Sequence, residues 1–224
     1  MLFRDRVDAG RQLAARLGAY ANRSDVLVLG LPRGGVPVAY EVARALRAPL
    51  HVFVVRKLGV PGHEELAMGA CATGGVCVFN EDVVQGLGIP KEIIDRAIAE
   101  QTRELKRRER LYRGEAPPPD VRGRVVIVVD DGLATGSTMR AAIAALRRQH
   151  PARIVVAVPV GAAETCAECA READEVICNQ TPESFYAVGL WYGDFSQTSD
   201  DEVRELLRDA RSWSHRDAPR AASS

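Results

Sequence analysis

Two adjacent carboxylates, Asp130 and Asp131, stand directly after five β-branched aliphatic residues, 125–129, and just before a loop of small and hydroxyl-bearing side chains. The loop holds Ala134, Thr135, Gly136, Ser137 and Thr138. Met139, Ala142, Ile143 and Leu146 then recur at helical spacing. A short apolar run that does not alternate reads as a strand covered on both faces, as in a parallel sheet. A helix that starts in small residues aims free backbone N–H groups, and the positive end of its dipole, at one anion. Thr135, Ser137 and Thr138 add hydroxyl donors to that cradle, which suits a phosphate monoester. Asp130 and Asp131 can accept hydrogen bonds from neighbouring sugar hydroxyls. Together these residues describe a ribose 5-phosphate site with negative charge beside C1 of the sugar.

Further candidates sit at the ends of other apolar runs. Arg33, Gly34 and Gly35 follow the run at 26–29; two glycines allow close backbone approach, and their amides with Arg33 suit diphosphate oxygens. Arg56 and Lys57 end the run at 50–55 and would bring two cations to the same anion. Residues 59–69 contain Gly and Pro without a firm period, and Glu64 and Glu65 are their only carboxylates. Those two are candidates for a base or for stabilising developing positive charge. His63 has no matching partner and does not extend to H-E-x-x-H, so a satisfied or solvated histidine is expected there. The only aromatic-rich stretch, 185–195, offers Phe185 and Tyr186 for stacking and Asp194 for a cation; Trp191 and Phe195 are expected to close the core.

Strand and helix patterns alternate along the chain. Helical spacing covers 3–17, the residues after 35, 90–112, 137–146 and about 162–173; strand-like runs fall at 26–29, 50–55, 76–79, 125–129, 154–160 and 175–178. The fold class predicted is α/β, a Rossmann-like, mostly parallel sheet flanked by helices, with ligands outside the carboxyl ends of the strands. A single domain is expected over 1–210, with a helical insertion at about 79–119 and a small hood at about 181–198. The polar stretch 211–224 is expected to be a disordered tail. In the long helix, the cations of 106–110 read as a solvated face beside an apolar stripe.

Composition narrows the classes. The 224 residues are 46% hydrophobic, enough for a sizeable core, and a formal net charge of zero argues against a nucleic-acid partner. No apolar run reaches membrane-spanning length. Neither G-x-x-x-x-G-K-[ST] nor a matching G-x-G-x-x-G is present. Cys166 and Cys169 form a C-x-x-C without a second pair, on a helical pattern where Cys acts as a small apolar residue. Five cysteines without a paired spacing, and without a leader segment, predict a reduced, cytoplasmic protein.

The 126–138 segment resembles the signature of the type I phosphoribosyltransferases: four aliphatic residues, two acids, two variable residues, then Ala-Thr-Gly-Ser-Thr. The resemblance extends to a bacterial group of unassigned acceptor, through Phe3-x-Asp5-Arg6-x-x-Ala9-Gly10, Gly-Leu-Pro-Arg-Gly-Gly-Val at 30–36, Val-Arg-Lys at 55–57 and Glu-x-Ala-x-Gly-Ala at 65–70. It implies 5-phosphoribosyl 1-diphosphate as donor, Mg2+ as cofactor and a small-molecule nitrogen acceptor, a nucleobase foremost. It implies that Arg33, Gly34 and Gly35 form a diphosphate loop, where a strained or cis peptide is often found. Residues 59–69 would be a mobile loop that closes over the site, and 185–195 the hood that reads the acceptor. Ala134 stands where hypoxanthine-type members carry Asp, so the identity of the base does not carry over. Dimers are common in the superfamily, and the long helix offers a surface for one. Two other readings stay open. A non-catalytic module could sense the donor and regulate a partner, and a synthetase of the donor would need a second nucleotide-binding domain for which the chain looks too short.

Overall fold

The computed structural model describes residues 2–214. The chain runs through α1 (Arg6–Arg16), β1 (Val26–Gly30), α2 (Gly35–Leu46), β2 (Leu50–Val52), β3 (Val55–Val60), β4 (His63–Ala72), β5 (Val76–Phe79) and α3 (Glu81–Gly86). It continues through α4 (Lys91–Arg113), β6 (Val125–Val129), α5 (Ser137–Arg147), β7 (Arg153–Val160), α6 (Ala163–Glu172), β8 (Glu175–Gln180) and α7 (Asp200–Ser214). Five strands form a wholly parallel sheet in the order β2-β1-β6-β7-β8.

Successive side chains of a strand point to opposite faces, and here each face has its own core. Val26, Val28, Ile127 and Val129 join residues of α1, α2 and α7 on one side. Leu27, Leu29, Val126 and Val128 meet α5 and α6 on the other. Both faces are therefore dry, which is why the run at 125–129 cannot alternate. Burying each such side chain stabilises the fold by roughly 1.5–3 kcal/mol.

The expected strand over 50–55 is two strands in different sheets. β2 stops at Val52, and β3 opens a three-stranded antiparallel sheet in the order β3-β4-β5. Phe53 and Val54 are buried between them, so the apolar run is continuous although the strand is not. Val54 N–H donates to Thr73 Oγ1, and Thr73 N–H to the Val54 carbonyl, each at 2.9 Å, which fixes the change of direction. Residues 59–69, expected as an irregular loop, belong to the β3–β4 hairpin around Gly62, whose φ is +80°. The register slips at Leu58/Gly59 and again at Gly59/Val60. Those slips break the period that a sequence pattern needs.

The expectation of reduced cysteines is also corrected. Cys71 and Cys77 stand directly opposite each other on β4 and β5 and are joined in a disulfide. A turn through Gly74 and Gly75, both at positive φ, sets that register across only six residues. The long helix forms as expected, as α4. Its first half packs Ile94, Ala97 and Ile98 on Leu58, Val60 and Met68 of the small sheet. Its second half places Leu105 and Tyr112 in the main core. α7 runs to Ser214, past the boundary expected at 210, and residues 215–224 lie outside the described residues. Among the described residues no helix is long and apolar enough to cross a membrane.

Candidate active site

β1 and β6 are neighbours with Gly30 opposite Val129, so the loops at their carboxyl ends meet. Leu31 N–H donates to the Val129 carbonyl at 2.9 Å and carries the ladder one residue past the strand. The glycines behind it leave room for the acids. A Cβ on Gly35 would lie 2.7 Å from the Val129 carbonyl and 2.8 Å from Asp130 Cα. One on Gly34 would collide with Asp131 Oδ2. The peptide between Pro32 and Arg33 is cis.

Asp130 and Asp131 are only partly exposed. Asp130 Oδ1 accepts the Asp131 N–H at 2.9 Å. Withdrawal from water holds the Asp130 carboxyl well above the ordinary range, and repulsion from Asp131 adds to it. Burial raises Asp131 too, against the pull of Arg6. The guanidinium of Arg6 reaches Asp131 Oδ2 with Nε at 2.9 Å and Nη2 at 2.8 Å. Its face lies 4.0 Å from the centre of the Phe195 ring, and Nη1 donates to the Ser196 carbonyl at 2.7 Å. Tyr192 donates its hydroxyl to the Asp131 carbonyl at 2.5 Å, and burial pushes that hydroxyl above its usual range. Sequence reasoning missed Arg6 as a site residue, although it falls in the Phe3–Gly10 segment that carried the family resemblance.

The hydroxyl loop is pinned from behind. Leu133 N–H donates to the Val160 carbonyl at 2.9 Å, Ala162 N–H to the Leu133 carbonyl at 3.0 Å, and Thr165 Oγ1 to the Ala134 carbonyl at 2.7 Å. Gly136 turns the chain into α5 at φ +67°, where a Cβ would lie 2.5 Å from Thr165 Cγ2. Ala134, Thr135, Ser137 and Thr138 are left facing outward. Thr135 Oγ1 and Ser137 Oγ are 3.2 Å apart, and Lys57 Nζ donates to Ser137 Oγ at 2.6 Å. A helix N-terminus, a set of hydroxyls and an ammonium group thus converge on one spot, as an anion requires.

A family model for the phosphoribosyl transferase domain matches residues 3–190. The chain belongs to this family. Two Mycobacterium tuberculosis proteins provisionally named as phosphoribosyl transferases are 50% identical to it over 223 residues, which is 99% of this chain and 49% of each of them. The chain therefore spans about half the length of these curated relatives. A solved structure from Thermus thermophilus is 41% identical, covers 93% of this chain and 99% of its own, and superposes with a TM-score of 0.84. A Neisseria gonorrhoeae hypothetical protein solved with bound ppGpp shares the fold alone, at 16% identity and a TM-score of 0.50 over 94% of this chain and 99% of its own.

The remaining site candidates of this phosphoribosyl transferase domain are placed unevenly. Arg33 lines a cavity of about 210 Å³ with Arg108, Tyr112 and Asp200. Arg56 is drawn to α4, donating from Nε to Gln101 Oε1 at 3.1 Å, whereas Lys57 reaches the anion loop. Both sit on β3 of the small sheet rather than at a parallel strand end. Among the described residues none of Arg33, Arg56 and Lys57 has an ion-pair partner. Such cations remain available to a ligand. A larger cavity, about 550 Å³, opens beside Lys57 and Ser137 between α5 and the small sheet. The side chains of Glu64 and Glu65 lie outside the described residues.

Phe185 packs with Trp191 and Phe195 on the Phe3–Tyr192 cluster, but Tyr186 is 84% exposed. Asp194 is exposed and accepts the Ser196 N–H at 2.8 Å, which holds its carboxyl below the usual range. Cys166 and Cys169 are buried on α6, in the packing role expected of them.

Proposed function

We propose that this domain transfers the 5-phosphoribosyl group of 5-phosphoribosyl 1-diphosphate to a nitrogen acceptor, a nucleobase by class, and releases diphosphate. The observation that carries this reading is the junction of β1 and β6, where two recessed acids adjoin a glycine loop and lie one short loop away from an anion cradle. In this reading residues 134–138 and Lys57 hold the 5-phosphate. Asp130 and Asp131 take the ribose hydroxyls, and Arg33, Gly34, Gly35 and Arg56 face the diphosphate, whereas Lys57, expected there too, reaches the 5-phosphate loop instead.

Mg2+ fits the donor set. Among the described residues no cluster of three or more His, Cys, Asp or Glu could form a protein cage for a metal. Mg2+ keeps its waters and takes phosphate oxygens, so it needs only one or two carboxylates. Asp194, with Oδ1 tied to Ser196, would supply one. When bound, the ion neutralises the leaving diphosphate. As the glycosidic bond breaks, C1 gains positive charge, and the acids beside it stabilise that charge more in the transition state than in the ground state. The incoming nitrogen supplies the electron pair, so no side-chain nucleophile is required. Tyr186 offers an exposed ring for stacking on the acceptor, Phe185 packs instead on the neighbouring aromatic cluster, and Glu64 and Glu65 remain candidates for moving the acceptor's proton.

The test is diphosphate release from the donor and Mg2+ across purines, pyrimidines and small aromatic amines, beside the Asp130→Asn/Asp131→Asn variant. Release with one acceptor, lost in the variant, is expected. Tight donor binding with silence toward every acceptor would overturn turnover and favour a donor-sensing module.

A further inference from the structure

The hydrogen bonds around the acid pair divide its oxygens in a particular way. A carboxylate oxygen has two lone pairs. Asp131 Oδ2 accepts the Arg6 Nε–H at 2.9 Å and is ion-paired with Nη2 at 2.8 Å, and Asp130 Oδ1 takes the Asp131 N–H. Asp131 Oδ1 and Asp130 Oδ2 accept no hydrogen bond among the described residues. One oxygen per acid is thus left, and two neighbouring sugar hydroxyls need two acceptors. The terminal torsion of an aspartate is broad, so an ungripped Asp131 would offer no fixed direction.

Arg6 is itself fixed. Its side chain is 12% exposed, held against Phe195 and by the Ser196 carbonyl. Gly34 contributes the space, since a Cβ there would lie 3.2 Å from Arg6 Nε and collide with Asp131 Oδ2. α1, the loop after β1 and the aromatic segment after β8 therefore meet on one carboxylate.

We propose that Arg6 is a positioning residue for the sugar: by holding Asp131 Oδ2 side-on, it turns Oδ1 toward one ribose hydroxyl. This inference rests on the phosphoribosyl reading of the site. It assigns to the N-terminal helix a share in donor recognition that acts through Asp131.

Ribose 5-phosphate, its 2-deoxy and 3-deoxy analogues, and inorganic phosphate separate the contributions when their binding to the wild-type protein, Arg6→Gln and Arg6→Lys is measured by calorimetry. The wild type is expected to prefer ribose 5-phosphate over each deoxy analogue by about tenfold, the worth of one hydrogen bond to a charged group. Arg6→Gln should bring one of those preferences within about twofold, leave phosphate affinity unchanged, and be partly rescued by Arg6→Lys. If Arg6→Gln weakens all four ligands alike, or keeps both preferences, Arg6 is only a tie for α1 and the proposal falls. A wild type without either preference would overturn the sugar-binding reading itself, and this inference with it.

Discussion

At Asp130 the demands of chemistry and of stability oppose each other. Its folded-state carboxyl is raised above the ordinary 3.8, so the folded chain holds the proton more tightly than the unfolded chain does. The sign follows from linkage: stability present at low pH is lost as pH rises from the unfolded value through the folded one. As pH rises, each step toward ionising the recessed pair therefore costs the fold stability. Asp130→Asn removes the charge and keeps an oxygen for the Asp131 N–H. It should raise the melting temperature by roughly 2–4 °C at pH 8, about 1 kcal/mol in a domain of this size, with a smaller gain at pH 5. Donor binding should be lost in the same variant. Thermal melts at the two pH values decide it; a lower melting temperature at pH 8 refutes the burial argument. The acids and the 134–138 loop were legible in the sequence because their chemistry is local, spread over a few residues. Arg6 was not, because it meets Asp131 across 125 residues, and one arginine among thirty Lys and Arg carries no mark of its partner.

The small sheet shows where element-scale reading fails and what that failure hides. β4 carries Ala67, Gly69, Ala70, Cys71 and Ala72, side chains too small to signal alternation, and β3 slips register twice. β1, β6 and β7 carry bulky aliphatic residues without slips, so they were legible almost to the residue, whereas the end of β2 at Val52 was hidden inside a continuous apolar run. The disulfide lay in the illegible part, because only the β4–β5 register brings Cys71 opposite Cys77. By loop-closure entropy alone, a crosslink over six residues is worth about 2 kcal/mol. Reduction should therefore lower the melting temperature by roughly 4–8 °C, with the loss centred on the small sheet. Alkylation after denaturation without reductant should modify the three free cysteines, Cys166, Cys169 and Cys178, and spare the other two. Five modified thiols would show that the crosslink is absent in solution.

Across the whole molecule, stability and binding are expected to divide along the boundary between the two sheets. β1, β6 and β7 are buried on both faces by two cores, whereas the small sheet rests on a separate cluster around Leu58, Val60 and Met68. Regions with few buried apolar contacts open at lower free energy, so amides of β3–β5 should exchange hydrogen well before those of β1 and β6. α4 bridges the two regions, and Lys57 on β3 crosses the gap to Ser137 at the start of α5. An anion between these two groups would bind the open arrangement less tightly than the closed one, and so would favour closure by mass action. Inorganic phosphate at saturation should therefore slow exchange in β3 as well as in the first turn of α5. Lys57→Ala should abolish the effect in β3 and keep it in α5, because the helix N-terminus still meets the anion. Exchange mass spectrometry resolves the two peptides. Equal protection of β3 and β6 without ligand would mean that the sheets open as one unit, and the small sheet could not then act as the closing element over the site.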